Sequence, residues 1–173
     1  MDNILELDNI SVSRNDNQIL NNVTFDVPAN KIFGLLGDNG AGKTTLLKAI
    51  LLINKKFEGH ISYKGQSLSR KESKDFGALI ESPALYPNLS AQENLMVMAK
   101  LYDLPKKSIE ETLATVGLAD INSKKKVKNF SFGMRQRLGI GMAIIHKPAL
   151  LILDEPTNGL DINGVEEFKK NNF

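Results

Sequence analysis

Residues 37–44 read Gly-Asp-Asn-Gly-Ala-Gly-Lys-Thr, an instance of G-x-x-x-x-G-K-[ST]. This pattern constrains the fold because it works only as the turn between a strand and a helix. The flanks comply. The apolar run Ile32-Phe33-Gly34-Leu35-Leu36 predicts a buried strand before it, and Thr45 to Leu52 predicts a helix after it. Gly37, Gly40 and Gly42 let backbone N–H groups converge on an anion with no Cβ in the way. The helix N-terminus adds partial positive charge at the same point. Asp38, Asn39 and Ala41 complete the loop that would wrap the phosphates. Lys43 is expected to reach the β- and γ-phosphates, Thr44 to ligate Mg²⁺ through its hydroxyl, and Thr45 to lie against the phosphates. A nucleoside triphosphate is the implied ligand.

Composition limits the alternatives. The apolar share of 42% and charged share of 24% are those of an ordinary globular domain. A net charge of +2 gives no reason to expect nucleic acid as a partner. With no cysteine, disulfides and thiolate-bound metals are excluded. The first residues, Met1-Asp2-Asn3-Ile4-Leu5-Glu6, do not have the form of a signal peptide, and no apolar run is long enough to span a bilayer. The expectation is a cytoplasmic protein that reaches the membrane only through a partner.

Apolar and polar residues alternate from Ile4 to Val12 and again from Ile19 to Val27, with Asn15-Asp16-Asn17 as the turn, which predicts an antiparallel hairpin. Phe57 to Tyr63, ended by Lys64-Gly65, and Phe76 to Ile80 read as further strands. Three helices follow: Ser90 to Leu101 with a Ser90/Glu93 capping box, Pro105 to Val116 stopping at Gly117, and Ser131 to Ile145. Ala149 to Leu153 is an apolar strand, and Asn163 to Lys170 a short final helix. The implied organisation is one α/β domain: a nucleotide-binding core over 1–87, a helical subdomain over 88–147, and a closing strand and loop over 148–173.

The strand Leu150-Leu151-Ile152-Leu153 ends in Asp154-Glu155. In P-loop enzymes a carboxylate at such a strand end holds Mg²⁺, which is usually bound by one or two carboxylates together with phosphate oxygens. The adjacent Glu155 suits a general base for a water attacking the γ-phosphorus.

Between these motifs lies Phe130-Ser131-Phe132-Gly133-Met134, then Arg135-Gln136-Arg137. This segment resembles the Leu-Ser-Gly-Gly-Gln-like signature of the ATP-binding subunits of ATP-binding cassette (ABC) transporters. Asp154-Glu155-Pro156-Thr157 and Gly159-Leu160-Asp161 follow in that family's order, so the resemblance runs along essentially the whole chain. It implies a P-loop NTPase fold with an N-terminal antiparallel hairpin, a parallel core sheet and a helical subdomain. It also implies ATP hydrolysis with Mg²⁺, a second ATPase domain paired head to tail, and a separate membrane permease. Ser131 and Gly133 would then contact the nucleotide held by the partner domain. A plain N-cap role for Ser131 uses the same geometry.

Glu81 stands where the family usually has a glutamine that touches Mg²⁺ and the attacking water. A carboxylate can still ligate the metal, so Glu81 joins Thr44 and Asp154 as a metal candidate and Glu155 as a catalytic one. An acidic residue there, followed by Ser82-Pro83-Ala84-Leu85-Tyr86-Pro87, resembles the bacitracin- and lantibiotic-resistance branch. A substitution neutral for substrate is the alternative. By the same analogy, Pro83 to Leu101 would face the coupling helix of the permease.

Two departures qualify the resemblance. The family often stacks an aromatic ring on adenine near position 13 or 14, whereas this chain has Ser13 and Arg14; Arg14 could lie flat on the base. The chain also reads Lys169-Lys170-Asn171-Asn172-Phe173 at its end, before the family's next strand and its switch histidine. The expectation is a chain lacking the C-terminal strands and hydrolysing ATP poorly by itself. His60 and His146 do not replace that histidine and are expected as surface or cap residues. Lys124-Lys125-Lys126-Val127-Lys128 is expected as a solvated loop. A non-catalytic nucleotide-binding remnant and a non-transport ATPase of the same fold are the competing readings.

Overall fold

The computed structural model describes residues 2–15, 17–54 and 56–155, and these group into two compact units divided between Phe76 and Gly77. The first carries β1 (Asn3–Arg14), β2 (Asn17–Pro28), α1 (Lys43–Ile50), β3 (Glu58–Tyr63) and β4 (Gln66–Ser67). The strands form one sheet in the order β2-β1-β3-β4 with antiparallel pairs throughout.

The hairpin follows the predicted alternation, with a correction to its register. Leu5 and Leu7 are buried, and the next buried residues of β1 are Ile10 and Val12, so the inward positions switch from odd to even. A β-bulge absorbs the extra residue: Leu7 opposes Phe25 but Ile10 opposes Val23, and Asn9 takes φ 52°. The opposite shift follows on β2, where Val12 opposes Leu20 and Asn22 has φ 47°. Asparagine tolerates the left-handed region better than most side chains. Side chains staple both irregularities: the Asn9 N–H donates to Thr24 Oγ1 at 2.9 Å, and the Asn22 N–H donates to Ser11 Oγ at 2.9 Å. A strict two-residue period would have turned Ile10 and Val12 to solvent.

The expected buried strand Ile32–Leu36 is not found. That segment joins no ladder, and Ile32 and Leu36 are 73% and 92% exposed. A strand exists only through a paired neighbour, and among the described residues none pairs with it. Phe33 instead stacks on Phe25, with ring centroids 5.2 Å apart and planes 9° apart.

The second unit contains β5 (Phe76–Leu79), α2 (Ala91–Leu101), α3 (Lys107–Thr115), α4 (Phe132–Ile144) and β6 (Leu150–Leu153). Strands β5 and β6 pair, and the Asp154 N–H donates to the Leu79 carbonyl at 2.8 Å. The ends of both strands therefore meet, so they run in the same direction, as expected of a parallel core. The three helices enclose a core that includes Leu95, Ile109, Val127, Leu138 and Ile140, each no more than 1% exposed. Helix α2 begins with the predicted capping box: the Ser90 N–H donates to Glu93 Oε2 at 2.6 Å and the Glu93 N–H to Ser90 Oγ at 3.3 Å. Gly117, with φ 65°, follows α3 at the predicted stop. The expected helix at 163–170, together with Pro156-Thr157 and Gly159-Leu160-Asp161, lies outside the described residues.

Candidate functional site

The P-loop joins the exposed 32–36 segment to α1. Gly40 and Gly42 have φ 84° and 91°, which require glycine, whereas Gly37 does not. Gly42 also brings the start of α1 against the hairpin, since a Cβ there would fall 2.7 Å from Leu20 Cδ2 and 3.1 Å from the Ile19 carbonyl. The loop closes on its own lysine: Lys43 Nζ donates to the carbonyls of Gly37 at 2.7 Å and Asp38 at 2.8 Å. The Ala41 N–H donates to the Asp38 carbonyl at 3.2 Å, and Asp38, Asn39, Gly40 and Ala41 are all exposed. Thr44 and Thr45, in the first turn of α1, are half-buried. No acidic residue occupies that turn, so nothing there opposes an anion. An ammonium beside the amides of a helix start and an adjacent hydroxyl fits a phosphate chain and, through Thr44, a hard cation.

In the second unit, Glu81, Asp154 and Glu155 all leave the same end of the β5–β6 pair. The bond from Asp154 N–H to Leu79 C=O places Asp154 level with the end of β5, two residues before Glu81. Asp154 is half-buried, while Glu81 and Glu155 are exposed. Both glutamates adopt left-handed backbone, with φ 60° and 48°. Non-glycine residues in that region carry strain that clusters at functional sites. Among the described residues no group of three or more His, Asp or Glu side chains forms a metal cage. A site finished by phosphate oxygens needs only one or two carboxylates.

Ser131 is the N-cap of α4 and its Oγ accepts the Met134 N–H at 3.2 Å. It is exposed, beside Phe132 at 53% exposure, and Gly133 lies in the first turn. The chain beneath is fixed by a buried Phe130, whose carbonyl accepts from the Arg135 guanidinium. The helix start thus presents an exposed Ser131, with Gly133 half-buried two residues on.

Other expectations fare unevenly. Arg14 is exposed at the hairpin end, and His60 is exposed on β3. His146, just past the end of α4, is half-buried and stacks flat on Tyr102 at 4.1 Å and 8°, because the chain leaving α4 passes the end of α2. Within the lysine run, residues 124, 125 and 128 are exposed. Lys126 instead bonds Glu93 at 2.9 Å, and Lys125 lies 5.7 Å from the Phe130 ring centroid. Sequence reading missed Asn94, which is fully buried in α2 and bonded to the 86–90 segment. An amide on the apolar face of a helix, one residue after the capping glutamate, was the available signal.

Fold and motifs together define a P-loop ATPase with a signature-bearing helical unit. The family model for ABC transporters matches residues 20–158, and the chain belongs to that family, whose members hydrolyse ATP coupled to transport. It is 42% identical over 167 residues to the lantibiotic transport ATP-binding protein SrtF of Streptococcus pyogenes, covering 96% of this chain and 72% of that protein. It is 41% identical over 175 residues to the bacitracin transport ATP-binding protein BcrA of Enterococcus faecalis, covering 98% of this chain and 56% of that protein. Among solved structures, an ATP-binding subunit of an ABC transporter superposes with TM-score 0.84 at 31% identity, covering 97% of this chain and 72% of that one. A bacterial Atm1-family ABC exporter with ATP bound shares the fold, with TM-score 0.87 at 20% identity, covering 96% of this chain and 31% of that one. The branch expected from Glu81 and the residues after it agrees with these relatives.

Proposed function

We propose that this chain is the ATP-hydrolysing subunit of a transporter that exports, and so confers resistance to, antimicrobial peptides of the lantibiotic or bacitracin kind. The observation that carries the catalytic part is the P-loop closed on Lys43, its ammonium held by the Gly37 and Asp38 carbonyls where the phosphates would be received. Likeness to lantibiotic and bacitracin transport ATP-binding proteins supports the substrate class.

In this reading ATP displaces the two carbonyls from Lys43, and the ammonium turns to the β- and γ-phosphates. The N–H groups from Gly40 to Thr45 take the phosphate oxygens. Thr44, Asp154 and Glu81 would hold Mg²⁺, which when bound neutralises phosphate charge as the γ-phosphoryl group departs. Glu155 accepts a proton from the attacking water, and the bond from the γ-phosphorus to the bridging oxygen breaks in line. Ser131 and Gly133 of a second domain supply donors to the same γ-phosphate, so ATP joins two domains head to tail and hydrolysis releases them. A peripheral position on the inner membrane face follows from engagement with a permease; among the described residues no helix is long and apolar enough to cross a membrane.

The test is resistance in cells. Production of the chain with its cognate permease should raise the nisin or bacitracin concentration that halts growth, and Lys43→Ala should abolish the gain. Equal protection by wild type and Lys43→Ala would overturn the reading.

A further inference from the structure

Gly139 lies in the middle of α4, where glycine is a poor helix former, and its backbone is not in the left-handed region. Neither propensity nor φ calls for glycine there. Its surroundings do. A Cβ at 139 would fall 2.6 Å from Pro83 Cβ, 2.7 Å from Pro83 Cγ and 3.2 Å from Leu79 Cδ1. Leu79 can yield by rotation. Pro83 cannot, because its ring is closed onto the backbone.

Pro83 follows Glu81 by two residues. A proline biases the residue before it, Ser82, toward extended backbone, so the position of Pro83 dictates how the chain leaves Glu81 at φ 60°. The Pro83 carbonyl in turn accepts the Leu85 N–H at 2.9 Å. At the other end, the Leu79 carbonyl is held by the Asp154 N–H at 2.8 Å. The stretch from 79 to 83 is therefore pinned twice, to the strand bearing Asp154 and to a notch in α4, with Glu81 between the pins.

We propose that Gly139 is a positioning residue: the notch it leaves in α4 seats Pro83, and the seated proline sets the Glu81 carboxylate beside the Asp154 strand end. The inference rests on the reading of Glu81 as a metal-side residue. A signature helix carrying alanine at this position could not accept Pro83 in the same place, so the two residues act as a matched pair.

The test is a double-mutant cycle on the full chain: Gly139→Ala, Pro83→Gly and the two combined, with Glu81→Ala as reference. The first readout is hydrogen exchange of the Leu85 amide without nucleotide. Gly139→Ala should speed it roughly tenfold, and should add nothing once Pro83 is replaced by glycine, which vacates the space. The second readout is the Mg²⁺ concentration that half-saturates binding of a fluorescent ATP analogue. It should rise roughly tenfold in Gly139→Ala while metal-free analogue binding at the P-loop stays unchanged. Circular dichroism serves as the folding check, and alanine favours the helix. Unchanged Leu85 exchange in Gly139→Ala, or the same effect in both Pro83 backgrounds, would overturn the proposal. So would a Mg²⁺ requirement raised by Glu81→Ala but unmoved by Gly139→Ala. A requirement unmoved in both would overturn the reading of Glu81 instead.

Discussion

Asn94 holds Tyr86 by both of its main-chain groups. Its Oδ1 accepts the Tyr86 N–H at 2.8 Å, and its Nδ2 donates to the Tyr86 carbonyl at 3.2 Å and to the Ser90 carbonyl at 2.8 Å. Asn94 is fully buried, while Tyr86 is 51% exposed. One interior amide thus fixes an outward aromatic residue on the segment expected to face a permease.

Removing that amide leaves the Tyr86 N–H without its partner, while the Tyr86 and Ser90 carbonyls keep the main-chain N–H groups of Leu89 and Asn94. Asn94→Ala should destabilise the chain by about 1–3 kcal/mol in urea unfolding, with the Tyr86 amide losing exchange protection. Asn94→Asp should be worse, because a carboxylate cannot donate to either carbonyl. An Asn94→Ala protein as stable as wild type would show that water replaces the clamp.

Acid should weaken the start of α2. The Ser90 N–H, and then Lys126, hold the Glu93 carboxyl below its ordinary value of 4.5. A folded-state pKa lower than the unfolded one adds stability above the unfolded value, and that stability is lost as pH falls through the lowered folded value. Glu93→Gln should therefore be less stable than wild type at neutral pH, with the gap closing below pH 4.5. Urea unfolding of both proteins across that range checks it; a gap independent of pH would contradict the assignment.

The exposed apolar segment makes a separate prediction. Leu36 is 92% exposed and Ile32 73% exposed, so both should drive association between molecules. Leu36→Ser should change unfolding free energy by less than about 0.5 kcal/mol while reducing concentration-dependent light scattering. A large loss of stability would mean that Leu36 is covered in solution.

Lys43→Ala should weaken ATP binding roughly 100-fold, as expected for losing charge-assisted bonds to phosphate. Isothermal titration measures it. Unchanged affinity would place the phosphates elsewhere.

Local signals were legible where local chemistry decides. The Ser90/Glu93 capping box, the Gly117 stop and the Ser131 N-cap were all readable because each needs only residues within one turn. What escaped depended on distant partners. The bulges at Asn9 and Asn22 depend on Thr24 and Ser11 across the ladder. The 32–36 run is apolar enough for a buried strand, but apolarity cannot supply the neighbour that a ladder requires. Glycine is a poor helix former, and its place at 139 in α4 is explained only by Pro83, more than fifty residues away in sequence. Asn94 and the His146–Tyr102 stack likewise follow from packing between segments far apart in sequence.

The most direct test of the central claim compares Mg²⁺-dependent phosphate release from ATP by wild type and by Glu155→Gln, with ATP binding measured in parallel. Both proteins should bind ATP, and release should fall at least about 100-fold in Glu155→Gln as the base is lost. Equal release from the two proteins would contradict the role assigned to the carboxylate at the end of β6.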